Sequence, residues 1–303
     1  MMTRVTMQTM AAAAQRNLQA SSAKLAQLQQ SATDLKTFSN VSDDPAAAAD
    51  SMAVRAQQAA AAQYGRNISD GSAWLATADN ALASATTLLQ NAKDLTLQGA
   101  NGAINQQGRD AIATQLESIR TDLLTKANTQ YQGRNIFAGN SSAGAAYKNG
   151  LLPGDPPIYT GDGSTVERRI SPNTTIRVDA NGPAIFGRDN TDGKGDSVFG
   201  LLKTIADTLR SGGDVSAHID AMDKALNTVI NGRSEVGARH AQLLRAQDAN
   251  ANAVVDLENQ RSGIEDLDLS KAFLDVKSQE LSYQAALSVT AKVLQPTLMD
   301  FLR

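Results

Sequence analysis

The sequence predicts a mainly α-helical protein in which helical segments from both ends of the chain pack together and flank one small β-rich insert. Three observations predict this. Aromatic residues are only 4% of the 303, with a single Trp74, so the core must come from closely approaching, alanine-lined helices. Apolar residues recur at three-, four- and seven-residue steps through both flanks. Between about 140 and 195 that periodicity gives way to Gly, Pro, Thr and Asn with short alternating runs.

The elements follow in order. Ala11, Ala14, Leu18, Ser21, Leu25, Leu28, Ala32 and Leu35 form a thin heptad-like seam that Phe38 extends. After "SDDP" a helix starts at Pro45 and is expected to end near Tyr64. A second spans Ile68 to about Gln98, where Ile68, Leu75, Leu82 and Leu89 recur every seven residues with Ala78, Ala85 and Ala92 between them. Gly99 and Gly102 stop it. A third runs from Asp110 to about Gln130, with Ile112, Leu116, Ile119 and Leu123 on one face. Val166, Arg168 and Ile170 alternate, as do Ile176 and Val178, so "SPNT" reads as the turn between two strands. Phe199, Leu202, Ile205 and Leu209 mark a short helix. Two more are expected over Val215–Asn231 and Arg233–Ser262, with a joint at "RSGIEDLD". The last segment carries Leu269, Phe273, Val276, Tyr283, Leu287, Leu294, Leu298 and Phe301 at helical steps. Leu274, Leu281 and Leu302 widen this stripe, Glu280 sits at its edge, and Pro296 kinks or ends the helix.

Little in the chain argues for chemistry. Net charge is −3 with both signs interspersed, which gives no nucleic-acid footprint. The absence of cysteine removes disulfides, thiolate metal sites and thiol nucleophiles together. His218 and His240 lack partners at zinc-ligand spacing. Asp43 and Asp44 could be an acid pair, but Asp44 precedes Pro45. It therefore reads as a helix N-cap with proline in the first helical position, while Asp43 adds charge near the positive end of the helix dipole. "DNTDGKGD", Asp189–Asp196, fails as a calcium loop because Arg188 and Phe199 fall on ligand positions. No catalytic, cofactor or metal residue is assigned. The N-terminus lacks the apolar run of a signal peptide, and no stretch is apolar enough for membrane insertion.

The remaining signal is the pair of amphipathic ends. The C-terminal stripe is wider than one alanine-rich helix can cover, which favours packing between copies over an intramolecular coiled coil. The expected interface is Leu18, Leu25, Leu28 and Leu35 at one end, and Leu274, Leu281, Leu287, Leu294, Leu298 and Phe301 at the other.

Four stretches then carry a resemblance: "NVSDDPAAAADSMAVRAQ", "ISDGSAWLATADNALASATTLLQNAKDLTLQGANG", "LESIRTDLLTKANTQYQGRNIFAGNSS" and "YQAALSVTAKVLQPTLMDFLR". With them the chain resembles the flagellin superfamily of bacterial flagellar axial proteins. "GRNIFAG", Gly133–Gly139, is similar to the turn into the outer domain in its hook–filament junction branch. One departure is the start: members usually begin Met-Arg-Ile/Val, unlike Met1–Thr3 here.

The resemblance implies a non-enzymatic, extracellular part of the flagellum, exported without signal cleavage by the flagellar type III apparatus. It implies a self-assembled ring of about eleven subunits between the first hook-associated junction protein and flagellin, and an export chaperone in the cytosol. A filament-forming flagellin, or a cytoplasmic coiled-coil adaptor, is the alternative. The implied domains are a terminal tube-forming one (1–40 and 265–303), a helical rod (41–139 and 196–264) and an outer domain (140–195).

Overall fold

The structure, a computed structural model, describes residues 2–150, 155–189 and 196–294. Its elements are α1 (Met2–Asp34), α2 (Pro45–Gly99), α3 (Gln106–Ala127), β1 (Gln130–Tyr131), β2 (Arg134–Asn135), β3 (Tyr147–Lys148), β4 (Ile158–Tyr159), β5 (Glu167–Ser171), β6 (Thr174–Arg177), α4 (Gly182–Phe186), α5 (Val198–Arg210), α6 (Ile219–Glu265) and α7 (Leu269–Leu294). The chain divides into two compact units, one formed by the two ends up to Ala60 and from Ala253, the other by Ala61–Asn252.

In the central unit the seven-residue repeat of α2 is the core. Ile68, Leu75, Leu82 and Leu89 are buried, and so are Ala78, Ala85 and Ala92 between them. A seven-residue period keeps these side chains on one face, and the alanines let a neighbouring backbone come close. The neighbour is α6, which buries Met222, Val229, Val236 and Leu243 at the same spacing. Arg233 on Asp79 (2.8 Å) and His240 Nε2 on Ser72 Oγ (2.9 Å) fix the two helices antiparallel here. α3 and α5 pack on each other and add Ile112, Leu116 and Leu123, and Phe199, Leu202, Ile205 and Leu209.

Two expected breaks do not occur. α2 runs unbroken through the Tyr64–Ile68 gap, and α6 runs unbroken through Gly232 and on through "RSGIE". The glycines there serve approach between helices rather than termination. A Cβ on Gly65 would lie 3.2 Å from the Asn250 amide, and one on Gly232 would lie 2.6 Å from the Ile185 side chain. A helix interior tolerates glycine at about 1 kcal/mol, which close packing offsets. α3 also begins earlier than expected, because Asn105 caps it by accepting from the Gly108 amide.

Among the described residues the strands form three separate two-stranded antiparallel pairs, β1–β2 just before the expected insert and β3–β4 and β5–β6 within it. In the largest, Arg168 faces Ile176, with an irregularity between Arg169 and Ser171. These hairpins share the core of the helices: Phe137, Tyr147, Tyr159 and Phe186 belong to the same buried cluster as the α2 repeat. Edge-on aromatic contacts tie them together, Phe137 to Phe186 at 5.2 Å and Tyr147 to Tyr159 at 5.3 Å. The "GRNIFAG" segment is a folding device within this arrangement. Gln132 and Gly133 both have positive φ and form the β1–β2 turn. Ile136, Phe137 and Ala138 enter the core, and Gly139 at φ +66° passes so close to Ser164 that a Cβ would meet its carbonyl at 2.4 Å.

In the unit formed by the chain ends, α1 and α7 pair side by side. Their direction is antiparallel: the Gln279 amide donates to Ser21 Oγ (3.0 Å), while the Lys36 and Asp266 main chains form an antiparallel β-bridge at the other end. The heptad seam stops before its expected end. Leu35 takes a left-handed conformation (φ 56°), so the helix ends at Asp34 and Phe38 lies in the joint instead of on the seam. The joint is a clasp of two crossing segments. Thr37 N donates to Glu265 O (2.8 Å), and Leu267 N donates to Leu35 O (3.1 Å). Asp44 begins α2, its carboxylate accepting from the Ala47 amide at 3.0 Å. Asp43 turns the other way, accepting from the Asn40 and Ser39 amides, so it also closes the preceding turn.

Glu265 anchors this clasp. It is 3% exposed, and Arg55 grips it with two 2.7 Å hydrogen bonds. Ser51 and Arg261 also donate to it. The Arg55 and Ser51 hydrogen bonds hold its carboxyl down at about 2, against the opposing effect of burial. A depressed carboxyl stabilises the fold fully above its unfolded value and loses that contribution as pH falls toward the folded one.

Gly232→Ala is expected to lower stability by about 1–3 kcal/mol through the Ile185 clash, whereas Gly237→Ala, with open space around it, raises stability by about 1 kcal/mol; paired urea melts measure both. Glu265→Gln costs about 1–3 kcal/mol at pH 7, and its deficit against the unaltered chain shrinks between pH 4.5 and about 2, as urea melts at stepped pH would record.

Candidate assembly surface

The α1–α7 pair has one narrow internal seam. On α7 it consists of Ala272, Val276, Gln279, Tyr283, Ala286 and Thr290, all buried or half-buried. On α1, Leu18, Leu25 and Leu28 are half-buried, alongside Ala14, Ser21 and Ala32. These are small or polar residues for the most part, so the seam removes modest apolar area from water.

The larger apolar residues of α7 point elsewhere. Leu269, Phe273, Leu274 and Leu281 are each 60–67% exposed, and Val289 and Leu287 are exposed as well. At about 100° per residue they form two stripes. Leu269, Phe273 and Leu287 lie within about 40° of one another, next to the α1-facing seam. Leu274 and Leu281 lie about 100° further round. α7 therefore has three apolar faces, of which α1 covers one. Exposed apolar area of this extent on a helix marks an interaction surface.

The expected interface residues are thus placed differently from one another. Leu18, Leu25 and Leu28 sit at the intramolecular seam, and Leu35 is 53% exposed in the clasp, off the helix. Leu274 and Leu281 face away from α1, while Leu287 is exposed beside the α1-facing seam. The reason is rotational: the seven-residue step from Leu274 to Leu281 keeps both well over 100° from the Ala272–Gln279 line. The Leu294 side chain, Leu298, Phe301 and Pro296 lie outside the described residues, as does most of the "DNTDGKGD" loop. Val289 does not stand out in the sequence because it lies off both stripes, about 60–80° beyond Leu274 and Leu281.

The arrangement offers an apolar packing surface. Among the described residues no three His, Cys, Asp or Glu side chains are grouped to hold a metal ion. No described helix is long and apolar enough to cross a membrane. Asp43 and Asp44 are occupied with separate backbone amides.

Comparison with known proteins matches the two helical flanks of the chain. The bacterial flagellin N-terminal helical region matches residues 5–142, and the bacterial flagellin C-terminal helical region matches residues 219–302. The flagellar hook-associated protein 3 of Salmonella typhimurium is 26% identical over 275 residues, covering 83% of this chain and 84% of that protein. A flagellin of Listeria monocytogenes is 24% identical over 236 residues, covering 77% of this chain and 76% of that protein. The crystal structure of Bacillus cereus FlgL has the same fold, with a TM-score of 0.59 and 23% identity over 69% of this chain and 99% of that one. The matched regions are the segments that build α1 to α3 with the "GRNIFAG" turn, and α6 with α7. With both helical regions present in order, the chain belongs to the bacterial flagellin family.

Proposed function

We propose that this chain is the adaptor that joins the hook region to the flagellin filament, working by packing alone and without a catalytic step. The observation that carries the reading is the uncovered apolar surface of α7. A helix with two open apolar stripes is stable in water only when further helices cover them. In a ring of copies those helices come from neighbours, so the ends of the chain complete their packing on assembly. The hook-associated protein 3 of Salmonella typhimurium, similar over most of both chains, supports placing that ring at the junction. The short β-rich insert between the helical flanks supports it too.

In this reading the partners are other copies of the chain in a closed ring, the first hook-associated protein on the hook side and flagellin on the filament side. The protein is exported to the cell exterior through the flagellar apparatus. In the cytosol a chaperone covers the C-terminal stripes before export. Leu274, Leu281 and Leu287, with Leu294, Leu298 and Phe301 beyond them, are the assembly residues at this end.

The second reading is a filament-forming flagellin, favoured by the Listeria monocytogenes match. Seeded polymerisation separates the two: an adaptor adds a short cap to hook fragments, while a flagellin grows filaments without limit. A point substitution tests the packing itself. Leu281→Glu changes the stability of the free chain by less than about 0.5 kcal/mol, since the residue is exposed. It is expected to abolish incorporation into flagella and swimming in a strain where it is the sole copy. Normal swimming with the variant incorporated would sink the proposal.

A further inference from the structure

Two clefts open at the clasp between the helical ends, and they share no lining residue. One contains Lys36 and Arg55 beside Phe38, Val41 and Met52. The other contains Asp268 and Asp275 beside Leu28 and Ala272. Each holds charges already committed inside the chain. Arg55 is bound to Glu265, which also lines the first cleft. Asp268 caps α7, accepting from the Ser270 amide at 2.8 Å and the Lys271 amide at 3.2 Å. Asp266, at the rim of the second cleft, accepts from Ser262.

Each cleft also holds charge that no described residue pairs with, Lys36 in the first and both Asp275 and Lys271 in the second. Lys36 and Asp275 are exposed, and neither side chain makes an ion pair or hydrogen bond among the described residues. Lys271 lies in the acidic cleft, one helical turn before Asp275, and forms no ion pair with it there. The apolar surroundings differ in a matching way. Lys36 borders a concavity whose Val41 and Met52 are each 56% exposed, and Asp275 follows Leu274, which projects from α7 at 67% exposed.

We propose that copies of this chain meet side to side at the clasp, with Leu274 of one copy entering the Phe38–Val41–Met52 concavity of the next and Asp275 pairing there with Lys36. The inference rests on the ring reading above and names the surfaces that would form it. A contact between two different patches repeats head to tail, and it closes into a ring or continues as a helix. A single self-complementary patch would stop at a dimer. Opposite charge at the matching edges fixes the register and disfavours the reversed orientation.

The chain contains no cysteine, so introduced thiols report without background. The test uses the full chain as sole copy in flagellated cells, with Lys36→Cys and Asp275→Cys combined, and a short bismaleimide applied to sheared flagella. A ladder of dimers, trimers and higher species of this chain is expected, and either single substitution gives none. In a second arm, Lys36→Glu alone and Asp275→Lys alone each lower the amount incorporated about tenfold or more, and the combined swap restores it to within about twofold. Incorporation at the normal level with no ladder overturns the inference while leaving the adaptor reading intact. So does a cross-link only to a different axial protein, or a swap that fails to restore. Absence of the unaltered chain from flagella overturns both.

Discussion

α7 carries more apolar surface than its partner in the chain can cover. Its α1-facing line is mostly alanine, threonine and glutamine, while leucine and phenylalanine occupy the two faces beyond it. A helix whose apolar residues run round several faces is a core helix, whatever its position in the chain. The central unit needs no such completion. There Leu75, Leu82 and Leu89 of α2 are fully buried by elements of the same chain. One chain thus holds a finished core and an unfinished one.

The clasp is the connection at which the unfinished helices begin. Its strength comes from Glu265, a carboxylate almost removed from water and satisfied by Arg55, Ser51 and Arg261. Removing such a group from water is costly unless its hydrogen bonds are made, so the pairing is specific to this geometry. The crossing segments exchange main-chain hydrogen bonds as well, which ties the start of α7 to the end of α1. α1 and α7 are therefore presented as a pair, with the outer stripes of α7 left open.

Much of this was legible in the sequence, for physical reasons that differ between elements. The Ile68–Leu89 repeat announced the core because a large aliphatic residue every seven positions keeps one helix face apolar over its whole length. The Phe199–Leu209 face was equally clear. The matching repeat of α6 was not, since Leu226, Ile230 and Leu244 lie beside Met222, Val229 and Leu243 and blur the seven-residue period. Gly65 and Gly232 misled for the opposite reason: a glycine that admits a neighbour and a glycine that ends a helix look alike without the neighbour. The Leu35 turn was hidden too, because a leucine with positive φ breaks the seam where no propensity signals it. At the candidate surface, the width of the C-terminal stripe was readable, but which part of it faces α1 depends on rotation about the helix axis.

The central claim is that the outer faces of α7 are exposed in the free chain and buried in the assembly. The most direct measurement places a thiol at one of them, Leu281→Cys, in this cysteine-free background, and compares its rate of maleimide labelling in the purified chain and in intact flagella. The account predicts fast labelling of the free chain and slowing by about a hundredfold or more in the flagellum, as expected for a site buried between packed helices. Equal rates in both states would contradict it.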